Sequence, residues 1–111
     1  MVVPSQMPMK LATKNDSGKA PLSLIPSKAQ VEEAFVWKHG EGVHGRDNWR
    51  QGFQWTRIID AILRHATSYK EGQTLDPETG RSHMAHIRCD AAMLIEFETT
   101  HNDKDDRWKG K

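Results

Sequence analysis

The chain has 111 residues, 36% of them apolar, with 16 Lys+Arg against 15 Asp+Glu. That length allows one domain, and a net charge of +1 argues against wrapping nucleic acid through a broad basic face. The single cysteine, Cys89, excludes an internal disulfide and every multi-cysteine zinc module. No apolar run approaches the roughly 18–20 residues of a membrane helix, and residues 1–10, with Pro4 and Pro8, do not read as a secretory signal.

In chain order, residues 1–15 read as a flexible tail, 16–98 as the folded domain and 99–111 as a charged C-terminal tail that frays. Asp16-Ser17-Gly18-Lys19 is a turn signal. Pro21-Leu22-Ser23-Leu24-Ile25-Pro26 follows as an extended arm, with Leu22, Leu24 and Ile25 expected to pack on the body. A first helix is predicted after Pro26 with Ser27 as N-cap. It places Val31, Ala34 and Phe35 on its inner face, leaves Glu32 and Glu33 off it, and stops at His39-Gly40. A loop carrying Gly40, Gly42 and Gly45 leads into Arg46-Asp47-Asn48-Trp49-Arg50 and is a candidate for function. The second helix has the clearest period, through Trp55, Ile58, Ile59, Ile62, Ala66 and Tyr69, and ends at Gly72. A carboxylate-rich turn, 73–80, precedes a third helix from about Ser82 to Glu98, with Met84, Ile87, Ala91 and Leu94 facing the core. No strand-like alternation occurs, so the fold class is all-α: a short extended arm followed by a small helical bundle. A chain of this size buries only about two-thirds of its unfolded surface. Three short helices leave apolar surface on both sides, which a second copy is expected to cover.

His83, His86 and Asp90 stand at i, i+3 and i+7, within about 60° of one another on the third helix. Two imidazoles and a carboxylate on one strip suit a divalent cation or a phosphate; the plainer alternative is surface or hydrogen-bond-satisfied side chains. The positive end of the helix dipole disfavours imidazolium at the first two histidines, keeping them neutral and able to ligate. Asp76 and Glu78 lie in a turn able to fold back on the helix start, and His65 need not be core. Together they make an acid-and-imidazole cluster from two helices and a turn. The chain has no HExxH motif, His-Asp doublet, Gly-x-Ser-x-Gly elbow or Walker loop. Cys89 has no activating neighbour on its own helix face and reads as a packed thiol.

Asp16-Ser17-Gly18-Lys19-Ala20-Pro21 and Leu24-Ile25-Pro26 resemble the opening of the phage dATP/dGTP diphosphohydrolases, small relatives of the MazG-type all-α nucleotide pyrophosphatases that include the MazZ enzymes. The resemblance continues through Glu32, Gly40, Gly45-x-x-Asn48-Trp49, Leu63-Arg64-His65 and Leu75-Asp76-Pro77-Glu78-Thr79-Gly80-x-x-His83-x-x-His86. Among the departures, Val43-His44 replaces Lys-Tyr, and Gln73 stands where an acid is common.

The resemblance implies metal-dependent hydrolysis of purine deoxynucleoside triphosphates, dGTP or dATP, to the monophosphate and pyrophosphate. It implies two or more Mg²⁺ or Mn²⁺ ions, with Glu32, Asp76, Glu78, His83, His86 and Asp90 as the metal set. Glu32, Asp90 and His86 would be catalytic, and Lys19, Asn48, Trp49, Arg64 and His65 would bind substrate. It further implies a homodimer or homotetramer in a phage-infected host's cytoplasm, adjusting a nucleotide pool and, if of the MazZ branch, feeding 2-aminoadenine synthesis, with no membrane and no stable nucleic-acid partner. Two rival readings are a small helical nucleic-acid-binding regulator and a nucleotide-binding protein without catalysis. The acidic turn between the second and third helices repels the phosphates that the regulator would need to approach.

Overall fold

A computed structural model describes residues 10–110; the first nine residues of the expected tail lie outside the described residues. Three helices carry the fold: α1 (Ser27–His44), α2 (Trp55–Lys70) and α3 (His83–Thr100), with 3-10 turns at Leu22–Leu24, Asn48–Gln51 and Asn102–Lys104. The only β-type pairing among the described residues is an isolated Leu75–Ser82 bridge in the α2–α3 turn. α3 is the central element, packed against α2 and, over a smaller area, against α1. It starts where expected, with the Ser82 hydroxyl accepting the Met84 N–H at 3.0 Å.

The core is small, and Met93 joins its two halves. Val36 packs with Ala85 and Cys89 between α1 and α3. Trp55, Ile58 and Phe97 pack between α2 and α3, with Trp49, Phe53, Ile62 and Leu94 around them. On α3 the inward stripe is therefore Ala85, Cys89, Met93 and Phe97, at four-residue steps. The predicted stripe of Met84, Ile87, Ala91 and Leu94 is rotated from it: Met84 is exposed and the other three are half-buried. A helix with neighbours on two sides has a wide covered arc, which blurs the single apolar stripe that periodicity looks for. Cys89 is a packed thiol, as expected, and burial pushes its pKa up to about 12.

On α1 the expected inner face is reversed. Val31 and Phe35 are exposed, whereas Val36 is buried and Trp37 is packed against it. The cause is electrostatic pairing across the α1–α3 seam. Glu33 accepts from the Trp37 indole at 2.9 Å and from Arg88 at 3.1 Å, and Glu32 accepts from Arg81 at 3.1 Å. Carboxylates with cationic partners on the opposing segment turn inward, and the Arg81 guanidinium covers the outward Phe35 ring at 4.0 Å.

α1 also runs past Gly40 and Gly42 to His44. Glycine in a helix costs about 1 kcal/mol but does not by itself end one. The helix ends at Gly45, whose φ of +95° only glycine adopts readily, with its N–H bonded to the Glu41 carbonyl. The arm differs from expectation too: Leu22 and Leu24 are 68% and 79% exposed, and Ile25 is also exposed.

The C-terminal segment is held rather than frayed as far as it is described. The Trp55 indole donates to the His101 carbonyl at 3.1 Å, and the His101 ring donates to the Arg50 carbonyl at 2.8 Å. The Asp106 carboxylate accepts from both the Thr56 N–H and its hydroxyl, at 3.0 and 2.6 Å, and so caps the start of α2 from a distant part of the chain. A charged, apolar-poor segment reads as solvated because its partners lie some fifty residues away.

Gly52 sets the close approach between the loop and the end of α3. Its φ is +87°, and a Cβ there would lie 2.7 Å from the His101 ring. Gly42 is helical with nothing near its missing Cβ. Gly52→Ala is expected to destabilise the protein by about 2–3 kcal/mol. Gly42→Ala should stabilise it by about 0.5–1 kcal/mol. Urea unfolding followed by far-UV circular dichroism reads both, and equal effects would contradict the assignment of Gly52.

Candidate active site

The turn between α2 and α3 is closed by its own backbone. Asp76 donates its N–H to the Arg81 carbonyl at 2.8 Å, Gly80 donates to the Asp76 carbonyl at 2.7 Å, and His83 donates to the Thr74 carbonyl at 3.0 Å. The Asp76 Oδ1 atom accepts the N–H groups of Glu78 and Thr79 at 2.8 and 3.2 Å, which fixes the carboxylate. This fold-back brings Asp76 to the first turn of α3 and to His65 of α2. Asp76 Oδ2 lies 3.8 Å from His65 Nδ1 and 4.0 Å from His83 Nδ1, and Asp76 Oδ1 lies 4.0 Å from His86 Nε2. The His65 and His83 Nδ1 atoms are 2.8 Å apart, and the His65 and His86 rings stack at 4.5 Å. His65, Asp76 and His83 offer donors within 4.8 Å of one another, an arrangement that could hold a metal ion.

The electrostatics keep this cluster poised. Burial lowers the pKa of His65 and of His86, and in each case a neighbouring histidine adds to the effect while Asp76 opposes it. Both imidazoles are thereby held neutral, with lone pairs available. Burial acts to raise the Asp76 pKa, but the two backbone N–H donors and the nearby histidines outweigh it, so Asp76 is a firm anion.

A second group of predicted residues meets elsewhere. A cleft of about 1120 Å³ runs between α1, the Asn48–Gln51 turn, α2 and α3. Asn48, Trp49, Arg64, Glu78, His86 and Asp90 all line it. The Asp90 Oδ2 atom is buried without a hydrogen-bond partner. Burial lifts the Asp90 pKa to about 6, against the pull of the Arg64 guanidinium. The Trp37 and Trp49 rings stand 5.1 Å apart on the opposite wall, and Trp49 also rests on Phe97 at 5.9 Å. Trp49 thus anchors the loop while presenting part of its surface to the cleft. His86 belongs to both groups, its Nε2 held by the Thr79 hydroxyl at 2.7 Å.

Two predicted residues are not brought to either group. Glu32 is paired with Arg81, and Lys19 lies in the exposed Asp16–Lys19 turn; neither lines the cleft. Other side chains join the site without having been singled out. Arg57 faces the cleft with Ala61 and Arg64, and Lys38 and Arg46 line its α1 side. Gln73 accepts from the His83 Nε2–H at 2.7 Å. The i, i+4, i+7 spacing of Arg57, Ala61 and Arg64 on a confidently periodic helix was the available signal; Gln73 had none. Four cations stand against four carboxylates, Glu41, Asp47, Glu78 and Asp90, with Arg46 already paired to Glu41; together with the aromatic wall they form a pocket suited to a flat ring carrying a polyanion that arrives with divalent cations.

No helix among the described residues is long and apolar enough to cross a membrane. A family model described as dATP/dGTP diphosphohydrolase, N-terminal, matches residues 10–107. The chain is 38% identical over 94 residues to a dATP/dGTP diphosphohydrolase of Salmonella phage PMBT28, an alignment covering 85% of this chain and 32% of that protein. The chain therefore spans about a third of the length of this curated relative. No solved structure matches.

Proposed function

This chain belongs to the dATP/dGTP diphosphohydrolase N-terminal family, and from that premise we propose that its cleft binds a purine deoxynucleoside triphosphate and hydrolyses it to the monophosphate and pyrophosphate. The observation that carries the reading is Asp90. A buried carboxylate oxygen without a hydrogen bond, facing a cleft lined by Arg57, Arg64, Lys38 and Arg46, is costly unless a cation or a reacting water completes it.

Arg57 and Arg64, one face of α2, take phosphate oxygens, with Lys38 and Arg46 opposing them across the cleft. Trp37 and the exposed part of Trp49 receive the purine ring, and Asn48 beside them offers an amide to its edge. Asp90 and Glu78, both on the cleft lining, offer hard oxygens to a divalent cation of the Mg²⁺ or Mn²⁺ class. Such ions, when bound, neutralise the triphosphate and acidify the attacking water. Asp90, although its pKa is lifted to about 6, is ionised at neutral pH and so is available to the cation as a carboxylate. Glu32, tied to Arg81, serves to position α1 against the α2–α3 turn.

The exposed apolar residues of α1 and the arm, Val31, Phe35 and Leu24 among them, support association with a second copy. Light scattering at micromolar concentration is expected to return a dimeric or tetrameric mass, and a monomeric one would contradict this part of the reading.

The activity is tested by incubating the full chain separately with dGTP and dATP, with Mg²⁺ or Mn²⁺, and resolving pyrophosphate from orthophosphate. Monophosphate with equimolar pyrophosphate is expected. Orthophosphate alone, or binding of purine nucleotides without turnover, would overturn it.

A further inference from the structure

We propose that His65, Asp76 and His83 form a three-ligand site for a divalent transition metal of the Zn²⁺ type, behind the wall of the cleft and separate from its Asp90 end. The three donor atoms come from α2, from the α2–α3 turn and from the first residue of α3. His65 Nδ1, His83 Nδ1 and Asp76 Oδ2 form a triangle with sides of 2.8, 3.8 and 4.0 Å. The point equidistant from all three lies about 2.1 Å from each, the bond length of Zn²⁺ to imidazole nitrogen and carboxylate oxygen. Opening the His65–His83 side and closing the two Asp76 sides, each by about half an ångström, would bring the triangle to the roughly 3.4 Å edges of a tetrahedral site, with the ion above its plane and a fourth position open.

The atoms behind the donors are arranged as metal-binding residues require. His83 donates its Nε2–H to the Gln73 amide oxygen at 2.7 Å, which leaves the Nδ1 lone pair directed at His65 and Asp76. Asp76 has its Oδ1 held by the backbone N–H groups of Glu78 and Thr79, which leaves Oδ2 for the site. Outer hydrogen bonds that fix the tautomer of a histidine and the orientation of a carboxylate mark metal ligands across unrelated proteins. His86 is not a ligand of this site: its Nε2 is bonded to Thr79, and its ring stacks on His65. It therefore forms the partition between this site and the cleft.

The chemistry selects the ion. Mg²⁺ favours oxygen ligands and keeps several waters, whereas two imidazoles and one carboxylate, with His83 only 3% exposed, suit Zn²⁺ and its neighbours in the transition series. In the metal-free protein His65 and His83 share one proton between Nδ1 atoms 2.8 Å apart. The cation takes the place of that proton, which moves to His65 Nε2 so that both imidazoles ligate in the neutral form. The bound ion would pin the turn to both helices and hold His86, and through it one side of the cleft, in place.

The test uses the full chain, stripped with a chelator and titrated with Zn²⁺ and Co²⁺ against a chromophoric competitor. One equivalent is expected to bind with a submicromolar dissociation constant, to give Co²⁺ visible absorption of a four- or five-coordinate centre, and to raise Tm by at least about 5 °C. His65→Gln should weaken binding at least about 100-fold with unchanged helix content, and Gln73→Ala, which removes no ligand, about 10-fold. No saturable binding of either metal, binding unchanged in His65→Gln, or an equal Tm rise with millimolar Mg²⁺ alone would overturn the proposal. Metal binding at these residues is separable from hydrolysis. Zn²⁺ bound at these residues with no nucleotide turnover keeps this site and removes the proposed activity; turnover by a chain that binds no transition metal does the reverse.

Discussion

Asp90→Asn is expected to stabilise the folded chain at pH 8 while lowering nucleotide hydrolysis by about 100- to 10,000-fold. The two effects share one cause, the burial of a carboxylate whose Oδ2 has no partner. Burial raises the Asp90 pKa from 3.8 to about 6, with Arg64 only partly offsetting it. Above pH 6 the group is ionised in both folded and unfolded chains, and the folded state bears the whole cost of the buried charge. Below about pH 4 it is protonated in both, and the cost is gone. The wild type should therefore gain stability as pH falls from 7 to 4, other carboxylates aside, and the amide variant should lack that component. After allowance for its partial exposure the difference is about 1–2 kcal/mol at pH 8, or roughly 5–10 °C in Tm for a domain of this size. Thermal unfolding of both proteins in chelator at pH 8 and pH 4.5 reads it directly. A variant less stable than wild type at pH 8 would mean that Asp90 is satisfied by a group it needs, and would remove the argument for an open ligand position.

The same pairing of stability cost and chemistry explains which parts of the fold were legible in sequence. α2 was read to within about two residues because its apolar positions face a single neighbour, α3, and so keep a clean helical period. α3 was located but its inner face was misjudged, since contact with two helices covers an arc wider than one stripe. α1 was misjudged more deeply: Glu32 and Glu33 point inward because Arg81 and Arg88, about fifty residues later, neutralise them. No local pattern contains that information. The imidazole and carboxylate cluster was legible because the turn that assembles it is short and local, with Asp76, His83 and His86 inside eleven residues. The cleft was only half legible. Asp90 and Arg64 were visible as chemistry-bearing residues, but the separation of the Asp90 cleft from the His65–Asp76–His83 group depends on which way α3 is rotated, and Glu32 was drawn into the metal set by resemblance alone. The capping of α2 by Asp106 was invisible for the same long-range reason.

Phe97→Ala is expected to cost about 3–5 kcal/mol, among the largest effects of truncating any described side chain. Phe97 is 0% exposed and is the largest side chain that is fully buried among the described residues. It meets Phe53 edge-on at 5.7 Å, His101 edge-on at 5.1 Å and Trp49 at 5.9 Å, while packing with Trp55 and Ile58 of α2. Those partners belong to the loop, the C-terminal segment and α2, so the cavity left by the ring borders three segments at once, and the loop has no buried residue of its own. A domain of this size has about 5–15 kcal/mol in total, so the variant forfeits a fifth or more of it. Unfolding in urea, followed by the fluorescence of Trp49 and Trp55 beside the cavity, gives the magnitude. The loss should also reach the cleft, because Asn48 and Trp49 are held to its wall by the ring beneath them. In the variant, KM for dGTP or dATP should rise several-fold under conditions where the protein remains folded, with kcat changed less. Leu63→Ala, at a side chain 58% exposed on α2, is the matched control, expected to cost under about 1 kcal/mol and to leave KM unchanged. If Phe97→Ala were no more costly than that control, the loop would be anchored by Trp37 and Arg50 rather than by α3, and the cleft wall would have to be rebuilt on α1.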